Sequence, residues 1–278
     1  MDYREDGSTI WQTIVRKLRD AGCIFAEEEA RLLMSSSKNF SELAKLVDRR
    51  IAGFPLEHII GWTDFCGLRM KLEPGVFVPR QRTEFLVRQA AALTRPGDVV
   101  VDMCCGSGAL GAALVALTER IELHAVDIDP AAVRCARRNI HLDKGFVYEG
   151  DLYDPIPVQL YNRVNVIIAN APYVPTEAIK FMPTEARVHE ARIALDGGAD
   201  GLDVQRRIVA EAPLWLAKGG YLLVETSEKQ APLTAELFAQ YGLIPNWVRS
   251  EEHDANVIIG SRTDEGVLER NSFSPRRS

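Results

Sequence analysis

Between Arg95 and Gly260 the chain keeps switching its hydrophobic period. DVVVDM, IELHAVDI, GFVYEGD, NRVNVIIAN and GGYLLVET are short apolar runs that read as strands. Helical segments stand among them: GALGAALVALT, PAAVRCARRNIHL, GLDVQRRIVAEAPLWLA and SEKQAPLTAELFAQYG. Pro130 opens the second of these, where its missing N–H is harmless. LIPNWVRS and ANVIIG close the series as two more strands. Strand–helix alternation of this kind implies an α/β fold, a mostly parallel sheet with helices on both faces.

The first part of the chain has a different texture. TIWQTIVRKLRDAG, FAEEEARLLMSSS and FSELAKLVDRRIAG repeat apolar residues at helical spacing, with Gly22 and Gly53 as stops and Ser41 as a candidate N-cap. Three helices without a strand predict a small helical domain, with 54–61 as its linker. Aromatic and β-branched residues around Cys66-Gly67 predict a hairpin in 62–78. The expected organisation is a helical domain with linker over 1–61, a hairpin connector over 62–80, the α/β domain over 81–261 and a disordered tail over 262–278.

At 278 residues and 46% hydrophobic, the chain can bury a sizeable core. It has no run of about 18 apolar residues and no basic-then-apolar start, so neither a membrane span nor a secretion signal is expected. Cys23, Cys66, Cys104, Cys105 and Cys135 form no CxxC, and no His pair has zinc spacing, so no metal is expected. They read as small buried hydrophobes in a reducing, cytoplasmic compartment. A net charge of −6 argues against a nucleic-acid-binding surface, although RCARR at 134–138 and Arg276–Arg277 are locally basic.

Ligands in such sheets bind at the carboxyl ends of strands. DMCCGSGALG, residues 102–111, is the first such end; its glycines let the backbone turn sharply and approach a ligand, and the next helix aims free N–H groups there. Asp127 ends the second strand, where a carboxylate can take both ribose hydroxyls. Asp151 follows the third, placed either to meet an adenine amine or to cap the strand. Gly106, Gly108 and Gly111 fit a dinucleotide fingerprint with Asp127 about 20 residues on. Asp102 points instead to the methionine ammonium of S-adenosylmethionine, since a carboxylate there would repel a pyrophosphate.

The fourth strand runs IIANAPYVP into the same crevice. An amide or aromatic amine is a poor nucleophile that must be aimed at a methyl donor. The Asn170 side-chain oxygen and the carbonyl of Ala171 can accept its two N–H groups, with Tyr173 packing on its π face.

These residues resemble the N-P-P-Y motif of amino methyltransferases. With PLEHIIGWTDFCGLRMKLEPGVFVPRQRTEFLV, HEAR at 189–192 and ALDGGADGLD at 194–203, nearly the whole chain resembles the protein-(glutamine-N5) methyltransferase family, whose members act on peptide chain release factors. The resemblance implies a Rossmann-like class I methyltransferase with a seven-stranded sheet, S-adenosylmethionine as cofactor, and a release-factor-like protein substrate gripped by the N-terminal helices. It assigns Asp102, Cys104, Gly106, Gly108, Asp127, Asp151 and Asn170 to the cofactor. Asn170, Ala171, Pro172 and Tyr173 go to the target glutamine. Ala171 replaces the first proline of N-P-P-Y. Cys104 stands where the family more often has glycine, in a turn that calls for φ > 0. Gln81 and Ala191 replace prolines. These departures mark a divergent paralogue.

Other readings are an N6-adenine methyltransferase on nucleic acid, a nicotinamide-dependent oxidoreductase, which leaves the Asn170 motif idle, and a catalytically weak binding paralogue. His189–Glu190 reads as a surface loop pair in preference to a substrate-pocket pair. Glu84 reads as a helix cap or a neighbour of the cofactor's methionine end.

Overall fold

The computed structural model describes residues 3–141 and 144–263, with side chains from Ser8 onward. Arg276–Arg277 and nearly all of the expected tail lie outside the described residues; Arg262, at its first position, still belongs to a strand.

Three helices open the chain as expected: α1 (Tyr3–Asp20), α2 (Ala26–Ser36) and α3 (Phe40–Ile51). The N-cap of α3 is Asn39, not Ser41. Asn39 holds an extended backbone and accepts the Glu42 N–H at 2.9 Å, while Glu42 takes the Lys38 N–H at 2.6 Å. The first bond satisfies a donor the helix end leaves open, and the second ties the entering chain to the first turn. Leu18, Leu33 and Val47 meet in a core of these helices' own. The expected linker contains one more short helix, α4 (Leu56–Ile60), which Gly61 ends at φ 82°.

The hairpin is shorter than expected. β1 (Trp62–Phe65) and β2 (Leu68–Lys71) pair antiparallel across Cys66–Gly67, both at positive φ, as a tight two-residue turn requires. Pro74 and Gly75 then interrupt the extended course.

The α/β part follows as α5 (Glu84–Leu93), β3 (Val99–Met103), α6 (Ala109–Leu117), β4 (Glu122–Asp127), α7 (Pro130–Asn139), β5 (Gly145–Glu149), β6 (Val164–Ala169), α8 (Thr184–His189), α9 (Asp203–Trp215), β7 (Leu216–Thr226), α10 (Ala231–Gln240), β8 (Leu243–Ser250) and β9 (Ala255–Arg262). The seven strands run β5-β4-β3-β6-β7-β9-β8 across one sheet. β9 is antiparallel to both neighbours and the remaining pairs are parallel. Alternate residues serve opposite faces: Val101 and Met103 pack with Ile208 and Phe238, Val100 with Leu86 and Leu114. The chain leaves β3 toward β4 and β5, then returns to place β6 on the other side. The ends of β3, β4 and β6 therefore flank a topological switch point, where open α/β sheets bind ligands. No helix among the described residues is long and apolar enough to cross a membrane.

Three contacts fasten the segment after β6 to earlier parts of the chain. Arg50 is buried, pairs with Glu29 at 2.6 Å and 3.1 Å, and reaches Glu185 of α8 at 2.5 Å. His189 stacks on Phe54 with ring centres 4.1 Å apart. Glu190 is 6% exposed, takes Arg80 at 2.6 and 2.7 Å and accepts the Val78 N–H at 3.3 Å. His189–Glu190 is thus a structural clamp, not a surface loop pair, because the Arg80 cation offsets the burial of the carboxylate. Arg50→Ala leaves the Glu29 carboxylate buried without its partner, so it should destabilise the fold by about 3–5 kcal/mol in urea denaturation.

Candidate active site

A cleft with about 1050 Å³ of empty space, partly open to solvent, lies at the switch point. Its floor is the turn after β3. Cys104 and Gly106 stand at φ 57° and 55°, and both line the cleft. Cys104 meets the demand for positive φ despite its side chain, a conformation that costs an L-residue about 1–2 kcal/mol.

Gly108 does not line the cleft. It faces α7, where an added Cβ would come within 3.0 Å of Ala136 Cβ and Ile140 Cδ1, at φ 77°. Its role is to let α6 pack against α7. Gly108→Ala should therefore cost about 1–3 kcal/mol in chemical denaturation, from overpacking and an unfavourable φ together.

Asp102 is also displaced from its expected place. It is fully buried beneath the turn and accepts the Gly111 N–H through Oδ2 at 2.8 Å, while Oδ1 has no partner. Burial pushes its carboxyl up to about 7 from an ordinary 3.8. The folded chain thus keeps a proton that the unfolded chain releases in this window. The stability tied to that proton is full below pH 3.8 and is lost as the pH rises through about 7. Asp102→Asn should remove this decline, so its stability advantage over the parent should grow between pH 4 and 8 in paired urea titrations of the cofactor-free protein.

Asp127 lines the cleft from the end of β4. Its Oδ2 accepts the Gly106 N–H at 2.8 Å and its Oδ1 the Asp129 N–H at 2.9 Å. Each oxygen keeps a second lone pair for a ligand. Asp151, just past β5, also lines the cleft and pairs with Arg207 of α9 at 2.7 Å. The sequence offers no sign of that pair, which spans 56 residues. Ile128 and Leu152 line the cleft beside these carboxylates and supply apolar faces.

Asn170 lies just past β6, on the far side of the cleft, with Pro172 beside it. Its Nδ2 donates to Thr83 Oγ1 at 3.3 Å. Ala171 is buried in the core and does not line the cleft with its side chain. Tyr173 is not among the lining residues either. Its hydroxyl accepts from Arg82 at 2.7 Å and donates to Glu225 at 3.3 Å. Burial and the Glu225 charge push that phenol up to about 12. Its hydroxyl is thus anchored in an ionic network with Arg82 and Glu225. Glu84 fills neither role expected of it: it accepts the Cys66 N–H at 2.8 Å and so holds the hairpin turn. Thr83, Ile193, Ala194 and Arg207 also line the cleft and carry no single-residue signature in the sequence.

The family description "Methyltransferase small domain" matches residues 67–200. The release factor glutamine methyltransferase of Geobacter sulfurreducens is 35% identical over 219 residues, covering 78% of this chain and 76% of its own. That of Deinococcus radiodurans is 35% identical over 245 residues, covering 80% of this chain and 86% of its own. The chain belongs to the release factor glutamine methyltransferase family. The solved structure of a methyltransferase from Pyrococcus furiosus matches with a TM-score of 0.50 at 16% identity, over 81% of this chain and 100% of that one. That likeness concerns the fold, which is the methyltransferase fold expected for the family.

S-adenosylmethionine is the cofactor of this methyltransferase, and the cleft fits it. Three of the four charged side chains lining the cleft are carboxylates, Asp127, Asp129 and Asp151, against one guanidinium, Arg207. Such a site suits a sulfonium and an ammonium and disfavours the pyrophosphate of a nicotinamide dinucleotide.

Proposed function

We propose that this chain transfers a methyl group from S-adenosylmethionine to the side-chain amide nitrogen of a glutamine in a protein, with a peptide chain release factor as the substrate that its relatives' names indicate. The observation that carries the reading is Asn170 in the lining of the cofactor cleft, its Nδ2 tied to Thr83 and its carboxamide oxygen left for a ligand. In this reading Asn170 Oδ1 accepts one N–H of the target amide and the Ala171 carbonyl accepts the other. Those two acceptors fix the nitrogen in line for attack, and as positive charge grows on it their dipoles stabilise it. Pro172 walls the site and biases Ala171 toward an extended backbone.

Asp127 takes the ribose hydroxyls and Asp151 the adenine amine, while Asp102 acts through the turn it supports. Cys104 and Gly106 form the floor under the cofactor, and Gly108 sets the helix behind it. The cofactor supplies an electrophilic methyl group, so no covalent enzyme intermediate is needed.

Tritium transfer from labelled S-adenosylmethionine to a protein carrying an exposed glutamine tests the reading. Label removed by protease and retained through nuclease supports it. Label retained through protease and released by nuclease would replace it with an adenine-directed activity.

A further inference from the structure

The second acceptor of the proposed reaction, the Ala171 carbonyl, cannot turn on its own. It belongs to the peptide plane between Ala171 and Pro172, and Pro172 has no N–H by which a neighbour could hold that plane. Its direction depends on how firmly the chain is held on either side. Before it, β6 is paired with β3 and β7 as far as Ala169. After it the ladder has ended, and Tyr173 carries the anchors.

Tyr173 is held at both ends. Its carbonyl accepts Gln230 Nε2 at 2.9 Å. The same nitrogen donates to the Asp200 carbonyl at 2.9 Å, and the Gln230 oxygen accepts Ser227 Oγ at 2.6 Å. A Cβ on Gly201 would come within 2.3 Å of both Gln230 Nε2 and the Tyr173 oxygen, so this approach requires the glycine. At the other end the Tyr173 hydroxyl accepts from Arg82 Nη2 at 2.7 Å and donates to Glu225 Oε1 at 3.3 Å. Arg82 Nε lies 3.5 Å from the same Oε1. Tied only by its carbonyl, the residue could still swing on that bond; the tie at the phenol prevents it.

The phenol tie is a poor way to gain stability. Glu225, near the end of β7, is 2% exposed, and its Oε2 has no hydrogen-bond partner among the described residues. Burying a carboxylate for one guanidinium and one phenol is typically no better than filling the same space with apolar side chains. Charged hydrogen bonds add what apolar packing lacks, a fixed direction.

We propose that Arg82 and Glu225 are positioning residues: by holding the Tyr173 hydroxyl they fix the backbone of 171–173 and so aim the Ala171 carbonyl at the target amide. This rests on the reading of the site as a glutamine methyltransferase.

Tyr173→Phe removes the hydroxyl and keeps the ring. Arg82→Met, Tyr173→Phe and Glu225→Leu combined replace the network with apolar groups and leave no charge unpaired. Three measurements on both variants and the parent test the proposal. The first is hydrogen exchange over residues 173–176, where the Val174 and Thr176 N–H groups donate to Leu195 and Gly198. The second is kcat and KM on a glutamine peptide, with calorimetric binding of S-adenosylhomocysteine. The third is urea denaturation. Exchange over 173–176 should quicken in both variants. The kcat should fall about 10-fold in Tyr173→Phe and about 10- to 100-fold in the triple variant, with KM and S-adenosylhomocysteine binding near the parental values. The urea midpoint of the triple variant should match or exceed that of the parent.

Parental exchange and parental kcat in Tyr173→Phe would overturn the proposal, and that variant decides the matter if the triple one does not fold. A triple variant that loses stability along with kcat would reduce the network to a structural contact and overturn it as well. So would a rise in KM at unchanged kcat, which would put the network in contact with the substrate. If exchange quickens while the parent itself transfers no label to the glutamine peptide, the glutamine reading falls and the anchoring of 171–173 stands.

Discussion

Asn170→Ala is expected to lose about 100- to 1000-fold in kcat while still binding S-adenosylhomocysteine. The expectation follows from where the group sits. Asn170 is one of more than twenty residues lining the cleft, and the charged contacts that suit the cofactor come from Asp127 and Asp151 on the opposite side. Removing the carboxamide deletes an acceptor that matters most once charge has built on the substrate nitrogen. Loss of one such preorganised dipole typically costs about that much in rate. Steady-state kinetics on a glutamine peptide, with calorimetric titration of S-adenosylhomocysteine alongside, checks both halves. A variant that methylates at the parental rate would remove Asn170 from the mechanism.

Asp127→Ala is expected to fail earlier, at binding. Each hydrogen bond from a ribose hydroxyl to a carboxylate is worth about 1.5–3 kcal/mol, so losing two raises the dissociation constant of S-adenosylhomocysteine by about 100-fold or more. The same change releases the Gly106 and Asp129 N–H groups that Asp127 holds at 2.8 and 2.9 Å. The turn after β3 therefore loses its brace as well as its ligand contact. Asp151→Ala should cost less, about tenfold, because Asp151 already shares its charge with Arg207. If the two variants bind alike, Asp127 does not hold the ribose.

What the sequence shows and what it conceals divide along chain separation. β3 through β9 are legible because a buried strand and its covering helix write their periods locally. Cys66–Gly67 is legible for the same reason, since a two-residue turn constrains only itself. The strand ends at Asp127 and Asn170 can be placed because the switch point of the sheet brings them to one cleft. Asp102 and Gly108 belong to the same local motif, but the Asp102 carboxyl lies beneath the turn and the Gly108 backbone faces α7 behind it. A one-dimensional pattern carries no direction of that kind. The anchoring of the Tyr173 hydroxyl is not legible because its partners, Arg82 and Glu225, lie 91 and 52 residues away. The Arg80–Glu190 clamp spans 110 residues and leaves no periodic trace.

The clamps around α8 bear on modularity. Arg50 and Phe54 belong to the amino-terminal helices and their linker, yet they hold Glu185 and His189. The stretch they hold leads directly to Ile193 and Ala194 in the wall of the cofactor cleft. The helices are therefore not an exchangeable cassette. Cutting the chain after Gly61 would remove two of the three clamps and leave Arg80–Glu190 to brace that wall, and a foreign module grafted there would restore the full bracing only if it rebuilt an arginine and an aromatic ring at those two points.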